Sequence, residues 1–174
     1  MRTKYDFIVG IDPDVDKSGF ALLDVASRSI MAVDAFDFAH ITIKELPILA
    51  EKVKTSGKNI VVVVEASWMI HGNWHLTERG RKQYAAATGY KVGCNHQVGK
   101  LIVEMCKAYG IPVVEHIPLQ KCWSGKDRKI THEELIQFCP VDKNRTNQEM
   151  RDAALLAWTF ADFPIRLKPL KRKG

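Results

Sequence analysis

Only four cysteines occur in the 174 residues, Cys94, Cys106, Cys122 and Cys139, and no two of them form a CxxC pair. Their scatter argues against a disulfide scaffold and against a zinc site, and leaves reduced thiols as the simplest reading. No apolar run approaches the roughly 20 residues needed to cross a bilayer. Nothing at the N-terminus has the order of a secretory leader, so the expected location is cytoplasmic. The last eleven residues, PIRLKPLKRKG, contain no acid. Their five bases, Arg166, Lys168, Lys171, Arg172 and Lys173, carry most of the net charge of +6, and residues 1–163 are close to neutral. A basic segment with two prolines is expected to be a disordered tail, able to follow a polyanion such as nucleic acid or simply to keep the protein soluble. An apolar content of 46% is enough for one substantial core. Residues 1–163 are therefore expected to form a single domain, with 164–174 as the tail.

Two stretches share one plan, an apolar strand that ends on a carboxylate. In the first, DFIVGIDPDVDKSGFALLD (Asp6 to Asp24), Phe7, Ile8, Val9 and Ile11 are strand formers, and Asp12 stands where the strand leaves the core. Gly10 leaves room for something to approach the backbone. Pro13 and Ser18-Gly19 supply turn chemistry, so Phe20 to Val25 is expected to return antiparallel and Ser29 to Phe38 to follow as a third strand. In the second stretch, Ile60 to Val64 is five β-branched residues in succession, typical of a central strand covered on both faces, and it ends on Glu65. Open α/β sheets place their ligands beyond such strand ends. A turn cap would explain Asp12 equally well.

A helical stripe between Ile41 and Lys54, with Pro47 in an early turn, is expected to start near Glu45 and to close at Gly57. His96 to Tyr109 reads as a second helix ended by Gly110. Pro112 to Ile117 reads as the next strand, completing a right-handed parallel crossover. Before that helix, Ser67 to Asn95 is a long excursion with a short helix somewhere in Thr77 to Ala87. It carries Trp68, Trp74, Arg79, Arg81 and Lys82, aromatics interleaved with bases as on surfaces that stack on nucleobases. The competing reading packs the tryptophans beneath a solvated basic face. His71 and His75 have a metal-like spacing but no third ligand in view. After a polar connection holding Lys121, Lys126 and Lys129, the run Thr131-His132-Glu133-Glu134 is a capping box that opens a short helix.

The final helix, about Asn147 to Ala161, carries Glu149 and Asp152 on one face near its start. Acids there suit the helix dipole. Ala153, Ala154 and Ala157 also let the helix lie close against a sheet, which would carry both carboxylates to the sheet edge. Asp12, Glu65, Glu149 and Asp152 then converge. Such a cluster repels itself unless cations neutralise it, and all-oxygen ligation favours Mg²⁺ or Mn²⁺ over zinc. Two ions about 4 Å apart can clamp a phosphodiester.

The ordered set of segments GIDPDVDKSGFALLD (Gly10 to Asp24), VVVVEAS (Val61 to Ser67), NHQVGKLIVEMCKAYGIPVVEHIP (Asn95 to Pro118), KCWSGKDRK (Lys121 to Lys129) and EMRDAALLAW (Glu149 to Trp158) resembles the RuvC family of Holliday junction resolvases. The resemblance implies a ribonuclease H-like α/β fold, a mixed five-stranded sheet of three antiparallel and then parallel strands with helices on both faces. It implies a homodimer that nicks four-way DNA junctions at two symmetric phosphodiesters using two Mg²⁺ or Mn²⁺ ions per site. Asp12 matches the family's first-strand aspartate, Glu65 its fourth-strand glutamate, and Asp152 the aspartate of its last helix. Glu149 stands in place of an aspartate, Lys121 matches a lysine near the scissile phosphate, and Lys126 or Lys129 would be a second. The chain departs from the family at Asp14, where a glycine is usual, in the longer side chain of Glu149 and in the long excursion. Alternatives are a same-fold nuclease acting on structured RNA or other branched DNA, a phosphate-binding ATPase of related fold, and a catalytically silent nucleic-acid-binding module.

Overall fold

The computed structural model describes residues 5–70 and 82–168, with backbone alone at 82–85. Five strands form one sheet in the order β3-β2-β1-β4-β5. They are β1 (Phe7–Asp12), β2 (Ser18–Asp24), β3 (Ser29–Phe36), β4 (Ile60–Glu65) and β5 (Val113–His116). β1 to β3 are antiparallel neighbours, whereas β4 runs parallel to β1, and β5 to β4. This is the mixed sheet expected from the sequence.

The two faces of the sheet have separate cores, sorted by the two-residue period of the strands. Ile8, Ala21, Leu23, Val61 and Val63 pack with Ala153 to Trp158 of α5 (Gln148–Phe160) and with Leu135 of α4 (His132–Leu135). Val9, Ile11, Phe20, Ile60, Val62 and Val64 pack on the opposite face, against Leu46 and Leu49 of α2 (Leu46–Thr55) and Ile102, Val103 and Cys106 of α3 (Lys82–Ala108). The β-branched run of β4 is buried throughout, from Ile60 at 4% to Val64 at 0% exposed. Each such side chain contributes about 2 kcal/mol. A one-residue slip would also draw Glu65 into the dry position of Val64, so the register is fixed from both sides.

Two helical stretches reach further than expected. α2 starts next to Glu45 with Pro47 in its first turn, as expected, but helical backbone precedes it: Asp37 accepts from the His40 N–H at 2.7 Å, and α1 (Phe38–His40) leads through a π turn (Ile41–Glu45) into α2. Pro47 has no N–H to return to the preceding turn. The widened turn, in which the Leu46 N–H reaches the Ile41 carbonyl, absorbs that loss. The second is α3, one helix of 27 residues where a short and a later helix were expected. Residues Ala86 to Lys91 are exposed all round, so no apolar stripe announces them. The capping box is present as read, with Thr131 accepting from the Glu134 N–H and Glu134 from the Thr131 N–H. Beyond α5, Pro164 accepts from the Trp158 indole, and the Lys168 N–H donates to Gln137, so the start of the basic segment lies along the body. Among the described residues no helix is long and apolar enough to cross a membrane.

Candidate functional site

The strand period that sorts the cores also places the acids. Asp12 continues the face of Ile8 and Gly10, and Glu65 that of Val61 and Val63, so both belong to the α5 side of the sheet. Ile11 pairs with Val64 in parallel register, which leaves Asp12 and Glu65 side by side one residue further on. The third element is brought in by two glycines. A Cβ on Gly10 would stand 2.2 Å from the Ala153 carbonyl oxygen and 3.1 Å from Ala157 Cβ, and one on Gly19 would overlap the Glu149 backbone. The absence of those two methylenes lets α5 lie on the sheet and delivers Asp152 to the strand ends.

Asp12, Glu65 and Asp152 line one cavity of about 100 Å³, together with Lys121, Lys129 and the apolar Leu119, Trp123, Ile130 and Leu155. Burial pushes the Asp12 carboxyl well above the ordinary aspartate value, and the Glu65, Asp152 and Glu149 carboxylates push it further, against the pull of Lys129. Glu65 is raised by burial and then by Asp152, while Lys129, Lys121 and the Leu119 backbone draw it down. Burial works against the Lys129 ammonium, yet Asp152, Asp12 and Glu149 outweigh it and its pKa rises. Lys129 Nζ lies 3.1 Å from Asp152 Oδ2. The Lys129 and Lys121 ammoniums thus face the carboxylates of Asp12, Glu65, Asp152 and Glu149, and the site remains short of positive charge.

The donor chemistry suits a hard divalent cation, because the groups at the cavity are carboxylate oxygens with no thiol or imidazole among them. As the side chains stand, no three His, Cys, Asp or Glu of the described residues form a finished metal cage. Among these acids, Lys129 donates to Asp152.

The other expected residues are less uniform. Glu149 acts on Asp12 and Lys129 through its charge but does not line the cavity. Lys126 lies outside it too, on a neighbouring groove with Arg145 and His132. Trp68 is half-buried: its ring fills the space over Gly99 and against Pro13, and its indole N–H donates to Glu115 at 3.0 Å. Trp68 thus packs on the body, which is one part of the reading that competes with base stacking; the rest of that reading falls on Trp74 and the bases. Trp74, Arg79, Arg81, His71, His75 and the side chain of Lys82 lie outside the described residues. Asp14 braces the hairpin, accepting from the Asp16 N–H and from Asn95 of α3, whose own amide oxygen takes the Val15 N–H. Sequence reading passed over Asn95 and the second task of Glu134, which accepts the Ser124 N–H at 3.0 Å and so pins the lysine-bearing connection. The capping box could have pointed to Glu134; nothing local marks Asn95.

No protein-family model and no curated protein matches the chain. Solved structures do. The sheet order and the helices on both faces are those of a ribonuclease H-like fold. Within that fold the chain is similar to RuvC of Thermus thermophilus. Against RuvC in complex with a Holliday junction substrate, the match has a TM-score of 0.52 at 15% identity and covers 89% of this chain and 92% of that one. Against another structure of the same protein the TM-score is 0.51 at 14% identity, over 89% and 93% of the two chains. At these identities the likeness is one of fold.

Proposed function

We propose that the chain is a metal-dependent, structure-selective endonuclease that resolves four-way DNA junctions by paired phosphodiester hydrolysis. The observation that carries this reading is the meeting of Asp12, Glu65 and Asp152, from two strands and a helix, in one cavity with Lys121 and Lys129. The resemblance of the fold to a RuvC bound to a junction supports the choice of substrate. In this reading Asp12, Glu65, Asp152 and Glu149 hold Mg²⁺ or Mn²⁺, two ions per site. When bound, such ions neutralise the acids and supply Lewis-acid polarisation to a phosphate and a water.

The remaining tasks belong to the chain. Lys121 and Lys129 bring positive charge to the scissile phosphate. In the same reading Lys126, Arg79, Arg81 and Lys82 supply cationic contacts to the nucleic-acid backbone, and Trp74 a ring for stacking on bases. A homodimer would present the same site to two opposed strands of a pseudo-twofold junction.

The test is digestion of a synthetic four-way junction beside matched duplex and single strands, with and without Mg²⁺. Symmetric nicks in the junction alone, dependent on the metal and lost in Asp12→Asn, are expected. Cleavage of structured RNA in preference, or junction binding without any cutting, would replace this reading with another nuclease or a silent binding module.

A further inference from the structure

Asp152 has both carboxylate oxygens engaged. Lys129 Nζ donates to Oδ2 at 3.1 Å, and Gln148 Nε2 donates to Oδ1 at 2.7 Å. Gln148 is itself held, since its Oε1 accepts from Arg151 Nη2 at 2.9 Å. The rest of the Arg151 guanidinium is taken up by backbone, with Nε donating to the Ile130 carbonyl at 2.9 Å and Nη1 to the Thr146 carbonyl. Gln148, Arg151 and Asp152 stand at i, i+3 and i+4 of α5, the spacing that puts side chains on one face of a helix.

The geometry points to Gln148 as a positioning residue for Asp152, with Arg151 as its fixed support; this rests on the metal-dependent reading above. A guanidinium only donates hydrogen bonds and a carboxylate only accepts them. An amide between the two has a single orientation open to it, oxygen toward Arg151 and nitrogen toward Asp152. Oδ1 therefore holds the Gln148 N–H, which fixes the plane of the carboxylate and aims Oδ2, the oxygen paired with Lys129, into the cavity. The same guanidinium grips Ile130, next in the chain to Lys129, so one side chain sets both the acid and its internal counter-charge. Partners of this kind around ligating carboxylates tune metal affinity as well as orientation.

The test uses the full chain without nucleic acid and reads Mn²⁺ uptake by titration calorimetry. Gln148→Leu fills a similar volume without the amide and should weaken Mn²⁺ binding about tenfold, while the melting temperature stays within about 3 °C. On an Asp152→Asn background the same change should cause no further loss, because the effect passes through the Asp152 carboxylate. If Gln148→Leu melts early, Gln148→Asn, whose shorter amide cannot span the two partners, replaces it with the same expectation. Affinity unchanged within twofold, or an equal loss on the Asp152→Asn background, overturns the inference. Absence of Mn²⁺ uptake by the unaltered chain overturns the metal reading first, and the inference with it.

Discussion

The Lys129 ammonium lies 3.1 Å from the Asp152 carboxylate, with side chains 34% and 18% exposed, and this pair ties the connection after β5 to the start of α5. Lys129 also offsets the charge of Asp12 and, together with Lys121, that of Glu65. Removing one member of a partly buried pair strands the other, which costs more than losing a surface pair. Lys129→Met should therefore lower the unfolding free energy by about 1–2 kcal/mol in urea at neutral pH without divalent ions. Adding Mg²⁺ should restore more stability to the variant than it adds to the parent, since the ion no longer competes with an ammonium for Asp152 and stabilisation by a ligand of the folded state grows with the logarithm of its affinity.

Gly10 sits under the Ala153 carbonyl, and a Cβ there would come within 2.2 Å of it. Backbone cannot swing aside as a flexible side chain can, so α5 would have to lift. Gly10→Ala should cost about 3 kcal/mol, read from chemical denaturation. It should also slow cleavage by drawing Asp152 away from Asp12. A variant with parental stability would show that α5 does not depend on this contact.

Burial alone would raise the Glu134 pKa, but donors from Thr131 and Ser124 outweigh it and hold the carboxyl below its ordinary value. A carboxyl with a lower pKa in the folded than in the unfolded state stabilises the fold above the unfolded pKa. It loses that contribution as the pH falls through the folded one. Glu134→Gln keeps an acceptor in the capping box but removes the charge. It should be less stable than the parent by about 1 kcal/mol at pH 7, with the two converging only as the pH falls below the ordinary glutamate range. A gap that persisted undiminished in acid would mean that the charge plays no part.

Lys121 lines the acidic cavity, whereas Lys126 lines the groove beside it. The two should therefore fail differently. Lys121→Ala should reduce the cleavage rate about 100- to 1000-fold, in the range of losing one donor aimed at charge that develops in the transition state, with junction affinity little changed. Lys126→Ala should weaken binding across sequences and lower the salt slope by about one, with the rate at saturation kept. Filter binding at several salt concentrations and single-turnover cleavage separate the two.

The strands and the acids at their ends are legible in the sequence because a sheet writes its burial locally. Ile60 to Val64 is apolar at every position because both faces are covered, and the same two-residue period carries Glu65 to the α5 side. Gly10 and the alanines of α5 are legible for a similar reason, since small residues must face each other where backbones touch. The stretch Ala86 to Lys91 of α3 is not: Tyr90 is 78% exposed and its neighbours are open to solvent, so packing leaves no stripe to read. Arg151 and Gln148 are equally silent. Their meaning lies in the Ile130 carbonyl and the Asp152 carboxylate, and only the fold brings the first of these within reach.

Anomalous scattering from crystals of the unaltered chain grown with Mn²⁺ tests most directly whether the acids of β1, β4 and α5 form one cation site. Strong density bounded by the carboxylates of Asp12, Glu65 and Asp152, with Lys129 turned away from Asp152, is the expected result. Manganese density elsewhere on the protein, with that cavity empty and the Lys129 pair intact, would contradict it.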